Sequence, residues 1–154
     1  MREIQRKIAS AIIFSKDRKI LMGKKDPTKG GVYSDCWHIP GGGREEDETL
    51  EQTLLREVLE ETGINISSYE IKFIPIVNSG VAEKTLKTGE RVLCHMEFNV
   101  FEVDINDKNA DDIALNPTDD LVEIHWFDSE ELKNAKQIPG GKEFFIKAGY
   151  IEKI

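Results

Sequence analysis

The chain is 154 residues long, the size of a single domain able to bury a real core. Its net charge of −8 argues against a protein that binds nucleic-acid polymers through their phosphates, since such surfaces are basic. The longest apolar run is four residues, 11–14, and the opening Met-Arg-Glu-Ile-Gln-Arg-Lys has no apolar stretch. Neither a membrane span nor a secretory signal is therefore expected, and the chain reads as cytoplasmic.

Residues 7–14, Lys-Ile-Ala-Ser-Ala-Ile-Ile-Phe, predict a strand. Lys16-Asp17-Arg18 is a turn and Ile20-Leu21-Met22 opens a second strand, so the two make a hairpin. Residues 25–36 are a polar loop with Pro27, Gly30 and Gly31. A short strand, Trp37-His38-Ile39, follows and is closed by Pro40 and three glycines, Gly41, Gly42 and Gly43. The clearest helix is 49–62, where Leu50, Leu54, Leu55, Val58 and Leu59 fall on one apolar stripe. Thr49 and Gln52 fit a capping box at its start, and Gly63 is a natural stop. Residues 70–78 predict a strand interrupted by Pro75. Residues 92–101 alternate, with Val92, Cys94, Met96, Phe98 and Val100 on one face and Leu93, His95, Glu97, Asn99 and Phe101 on the other. A polar loop over 104–119, a last strand over 121–127 and two short helices, at 129–132 and 143–148, complete the chain. Strands in runs with helices between them give a mixed α/β or α+β class, and no linker divides 1–154 into more than one domain. Ile-Pro-Gly-Gly occurs at 39–42 and 138–141 with nothing matching around the copies, so it is a coincidence and not a duplication. Cys36 and Cys94 form neither a disulfide framework nor a zinc pattern and read as reduced thiols.

The negative charge is concentrated. Between positions 41 and 63 stand eight acids and only two bases, Arg44 and Arg56. A solvated face is the plain explanation of an acidic run. Spacing argues for more: Glu57, Glu60 and Glu61 are i, i+3 and i+4 neighbours on the helix beside its leucine stripe. Like charges at that spacing cost a few tenths of a kcal/mol per pair, and the C-terminal half of a helix disfavours anions. Clustered carboxylate oxygens suit a hard divalent cation, Mg²⁺ or Mn²⁺, that keeps positions for water and phosphate. The upstream glycines would let the backbone come close and turn a carbonyl toward that cation.

The full spacing is Gly42, five residues, Glu48, seven residues, then Arg56-Glu57-Val58-Leu59-Glu60-Glu61-Thr62-Gly63-Ile64. It resembles, position for position, the signature of the Nudix hydrolase family, and Trp37-His38-Ile39-Pro40-Gly41-Gly42 is similar to the usual lead-in. The resemblance implies an α/β/α sandwich around a mixed sheet with the box as a loop–helix–loop. It also implies Mg²⁺-assisted hydrolysis, by water, of a nucleoside diphosphate linked to another moiety. Carried onto this chain, Glu57, Glu60, Glu61 and the Gly41 carbonyl would ligate the metal, with Mn²⁺ as an alternative ion, or Glu57 by analogy would instead serve as general base. Arg56 would orient Glu57, and Glu48 would support the loop.

Outside the box, Glu97 is the leading further ligand, ahead of Asp119, Asp120 and Glu123. Lys25 matches a position where relatives keep a phosphate contact, Gly42 would lie against the substrate, and Trp37 or Trp126 is either core or a stacking platform for a base. The Pro or Tyr that marks the ADP-ribose and dinucleoside-polyphosphate branches is absent from 77–82, which favours a (d)NTP or a modified (d)NTP; a nucleotide-sugar or a non-catalytic sensing module is the alternative. The expected partner is a small nucleotide, with neither nucleic-acid polymer nor membrane; a homodimer is common among relatives.

Overall fold

The computed structural model describes residues 1–25, 33, 35–76, 78–117 and 121–151. In chain order the elements are β1 (Arg2–Phe14), β2 (Ile20–Lys25), β3 (Trp37–His38), β4 (Gly41–Gly43), α1 (Leu50–Thr62), β5 (Ile71–Phe73), β6 (Asn78–Thr85), β7 (Arg91–Asp104), a 3₁₀ turn (Ala110–Asp112), β8 (Leu121–Phe127), α2 (Ser129–Asn134) and α3 (Gly141–Lys147). Pro27, Gly30, Gly31, Asp119 and Asp120 lie outside the described residues.

The eight strands form one mixed sheet. Its spine is the parallel pair β1–β7, in register from Arg2↔Val92 to Phe14↔Asp104. Antiparallel β4 joins β1, β5 and β6 join β7, and β2 carries β3 and β8. After the Phe14↔Ile20 hairpin contact, β1 and β2 part, each with its own partners.

The expected strand over 7–14 begins five residues earlier. Its polar first half is held extended by β7 and not by its own burial. Its apolar end is buried on both faces, which explains the four-residue apolar run. Ala9, Ala11 and Ile13 face α1 in one core with Leu54, Val58, Phe101 and Val103. Ile12 and Phe14 face the other way, into a core with Met22, Phe127, Leu132, Phe144 and Phe145 from β2, β8, α2 and α3. Helices therefore cover both sides of the sheet, as the α/β/α expectation requires. No helix among the described residues is long and apolar enough to cross a membrane.

Two segments differ from expectation. Residues 78–85 form a strand, β6, where 70–78 was expected to be one interrupted strand; that stretch yields only Ile71–Phe73 before Pro75 breaks it. The glycines 41–43 are a strand on β1, not a closing turn.

Candidate active site

The box helix is built by local rules. The Thr49 hydroxyl accepts the Gln52 amide and the Gln52 side chain accepts the Thr49 amide, completing the capping box. Gly63 ends the helix at φ 80°, its amide donating to the Leu59 carbonyl at 2.9 Å. The apolar stripe is narrower than its spacing suggested. Leu54 and Val58 are fully buried, Leu50 and Leu55 pack at the margin, and Leu59 is 51% exposed. At about 100° per residue, Leu59 stands about 140° from Leu54, while Glu61 stands only about 20° from it.

The three glutamates therefore do not share one exposed face. Glu61 is 5% exposed and its carboxylate accepts the Gly41 amide at 2.8 Å. Glu57 is half-buried, with its carboxylate against Gly42, where an added Cβ would lie 2.3–2.6 Å from it. Glu60 is exposed. The glycine strand makes this possible by close approach. A Cβ on Gly41 would strike the Ala9 carbonyl at 2.3 Å, and one on Gly43 would strike the Arg6 guanidinium at 2.1 Å.

Arg56 ties the box together. Its guanidinium grips Glu48 through two bonds, 2.7 and 2.9 Å, and donates to Glu57 at 2.9 Å and to the Gly43 carbonyl at 3.2 Å. Glu60 stands 3.5 Å away. Glu48 also accepts the Glu45 amide (2.9 Å) and the Thr53 hydroxyl (3.0 Å). The Arg56 fork, followed by these bonds, holds the Glu48 carboxyl down at about 2. The guanidinium is itself held above its usual value, first by Glu48. Thr53, fully buried among apolar residues, was not foreseen as part of this network; a polar residue on the stripe side, five positions after Glu48, was the one signal available.

The other expected residues are more scattered. Glu97 lies on the α1 side of the sheet, exposed, facing Lys7 at 4.0 Å and accepting the Asn99 amide at 3.2 Å. Lys25 ends β2 in the open; its charge adds to the burial that holds the His38 imidazole below its ordinary pKa. Trp37 is half-buried, edge-on to Phe127 at 4.9 Å with the Lys24 ammonium over its ring at 5.3 Å. It lines an open cavity of about 570 Å³ with Glu123, His125 and Phe127. Trp126 packs against the α1-side core. Both cysteines are buried and free, and burial followed by Asp35 pushes the Cys36 thiol up, away from nucleophilic use.

The donor chemistry fits a hard cation: carboxylate oxygens on one helix, two of them brought against the backbone of Gly41 and Gly42. Among the described residues no group of three or more carboxylate, imidazole or thiol side chains is drawn together closely enough to hold an ion unaided.

A family model described as "NUDIX domain" matches residues 4–147. An ADP-ribose pyrophosphatase of Methanocaldococcus jannaschii is 42% identical over 52 residues, 34% of this chain and 29% of that protein. An 8-oxo-dGTP diphosphatase of Proteus vulgaris is 38% identical over 60 residues, 39% of this chain and 52% of that protein. The chain thus spans about half or less of these relatives' lengths. Among solved structures, the dihydroneopterin triphosphate pyrophosphohydrolase of E. coli superposes with a TM-score of 0.69 at 16% identity, over 92% of both chains, a likeness of fold.

Proposed function

The chain belongs to the Nudix family, and on that premise we propose that it is a single-domain, Mg²⁺-dependent pyrophosphohydrolase of a nucleoside diphosphate linked to another moiety. The substrate is a (d)NTP or a modified (d)NTP, and the products are NMP and pyrophosphate. The observation that carries this reading is the Arg56 knot, which fixes Glu57 against Gly42 while Glu61 is fixed against Gly41. A helix that needed only solubility would not bury one carboxylate and pin a second.

Glu57, Glu60, Glu61 and the Gly41 carbonyl would hold Mg²⁺, or Mn²⁺ in its place. The ion would supply charge neutralisation at the phosphate oxygens and a more acidic water. In the alternative role that the resemblance leaves open, Glu57 would accept the proton of the attacking water in place of holding the ion. Its orientation comes from Arg56, whose own position comes from Glu48. Water oxygen would bond to phosphorus as the anhydride P–O bond breaks, and pyrophosphate would leave with the electron pair. Preorganisation is the chain's contribution: the carboxylates stand on a helix capped at both ends. The 8-oxo-dGTP diphosphatase relative supports a triphosphate substrate, while the ADP-ribose pyrophosphatase relative supports the chemistry but not that substrate. All four box glutamates are present, which favours an enzyme over a sensing module.

The test is a hydrolysis panel with Mg²⁺, read by mass: canonical and oxidised dNTPs, NTPs, ADP-ribose, dinucleoside polyphosphates and nucleotide-sugars. NMP and pyrophosphate from a triphosphate are expected. Cleavage of a diphosphate-linked compound alone would overturn the substrate class, and no hydrolysis with Mg²⁺ or Mn²⁺ would overturn the enzymatic reading.

A further inference from the structure

We propose that the outer edge of β6 is a docking surface for a second copy of this chain, the two copies pairing β6 with β6 antiparallel about a twofold axis at Val81. The inference goes beyond the hydrolase reading and does not rest on it.

The edge is open and straight. β6 pairs with β7 in unbroken register from Asn78↔Phe98 to Thr85↔Arg91, and among the described residues no strand pairs with its other side. An edge strand presents a row of main-chain N–H and C=O groups that a further strand can use. Proteins that stay single guard such edges with proline, a bulge or charges that stand out from the strand. β6, Asn-Ser-Gly-Val-Ala-Glu-Lys-Thr, has neither proline nor bulge. Its two charges are turned toward the body of the sheet. Glu83 is held by Arg91 of β7 at 2.6 Å. The Lys84 ammonium is held below its ordinary pKa by burial and then by the charge of Arg6 on β1, so it lies over the sheet and not out from the edge. The strand is thus locally neutral in a chain of net charge −8.

A second copy fits this edge. Residues directly opposite in an antiparallel pair face the same side, so only registers that join positions of like parity keep both faces of the sheet continuous. Centring on Val81 sets Val81 against Val81, Gly80 against Ala82, Ser79 against Glu83 and Asn78 against Lys84. Each charge then meets a neutral side chain that can hydrogen-bond it, and the small residues Gly80 and Ala82 leave room at the centre. Centring on Ala82 would set Val81 against Glu83; centring on Glu83 would bring two carboxylates face to face. Val81 is the apolar side chain that gains, being 58% exposed on the α1 side of the sheet beside His95. The contact uses the same patch on both copies and closes with two. An unrelated extended peptide would offer the backbone bonds but not these matched pairs. The acidic net charge opposes association at long range, so the dimer should tighten as salt rises.

Sedimentation velocity of the full chain, from about 1 to about 300 µM, tests the dimer, since an interface built on one strand edge is small and associates weakly. We expect a monomer–dimer equilibrium that strengthens with salt. It should be at least tenfold weaker in Val81→Lys, which sets two cations together at the axis. Circular-dichroism melts of Val81→Lys should match wild type, because the side chain is exposed in the single chain. Register is read by oxidation. Val81→Cys should form a disulfide-linked dimer at least tenfold faster than Thr88→Cys, in the exposed turn after β6; the native Cys36 and Cys94 are buried and add little. A monomer throughout the range, or a dimer that Val81→Lys leaves unchanged, would overturn the surface. Equal cross-linking at 81 and 88 would overturn the register.

Discussion

Replacing Arg56 by alanine removes four bonds at once: two to Glu48, one to Glu57 and one to the Gly43 carbonyl. It also leaves a crowd of carboxylates without their common cation. Hydrogen bonds to charged groups contribute about 1.5–3 kcal/mol each when well shielded. Arg56 is 23% exposed, and Glu45 and Glu60 can turn to water, so the sum is far from additive. We expect a loss of about 2–4 kcal/mol, or roughly 5–15 °C in Tm for a domain of this size. The pH dependence follows from Glu48, whose carboxyl lies at about 2 in the folded chain against an ordinary value of 4.5. A depressed carboxyl stabilises the fold above the ordinary value, and that contribution fades as pH falls toward about 2. In Arg56→Ala most of the depression disappears; the Glu45 amide and the Thr53 hydroxyl keep part of it. The stability gap between wild type and variant should therefore narrow between pH 5 and pH 2. Urea unfolding at several pH values measures it. A gap under 1 kcal/mol at pH 7, or an equal gap at pH 7 and pH 2.5, would refute the reasoning.

Glycine substitutions should separate fold from chemistry. Gly42→Ala drives a Cβ into the flexible Glu57 carboxylate, so turnover should fall by a factor of ten or more with little change in Tm; the opposite pattern in a melt and a rate assay would contradict the packing. Gly41→Ala meets the Ala9 carbonyl and the Ser10 Cα, which cannot step aside, and should cost about 1–3 kcal/mol by chemical denaturation. Glu57→Gln and Glu61→Gln should each cut turnover by roughly 100-fold or more while the circular-dichroism spectrum holds; near-wild-type rates in both would remove the metal assignment. Thr49→Ala removes one side of the capping box and should cost about 1 kcal/mol, read by urea titration.

What the sequence made legible was local. Thr49, Gln52 and Gly63 announce a helix and its ends because caps act within a few residues. The alternation in β7 was visible because each of its faces meets a different environment. The depth of Glu61 was not visible. Apolar spacing placed it beside the stripe, yet burying a carboxylate depends on a tertiary partner, the Gly41 amide twenty residues away. The exposure of Leu59 has the matching cause, since five leucine and valine positions define a wider stripe than the sheet can cover. Strand β6, Asn-Ser-Gly-Val-Ala-Glu-Lys-Thr, is poor in residues that favour strands and is extended because β7 pairs with it along its whole length. That the glycines 41–43 themselves form a strand is not legible locally, because the partner that extends them, β1, lies more than thirty positions away.

The β1–β7 pairing also bears on how the chain comes to be folded. All thirteen partners stand ninety positions apart, and both sandwich layers are assembled on this pair. Closing so long a loop must precede the gain from the ladder, which places this domain among slow, late-committing folders. On the ribosome β1 emerges first and has no parallel partner until β7 has followed. In the interval β2, β4 and α1 can dock on β1, but its edge toward β7 lies open to other chains. The arrival of the seventh strand thus closes the ladder on which both layers of the sandwich are built.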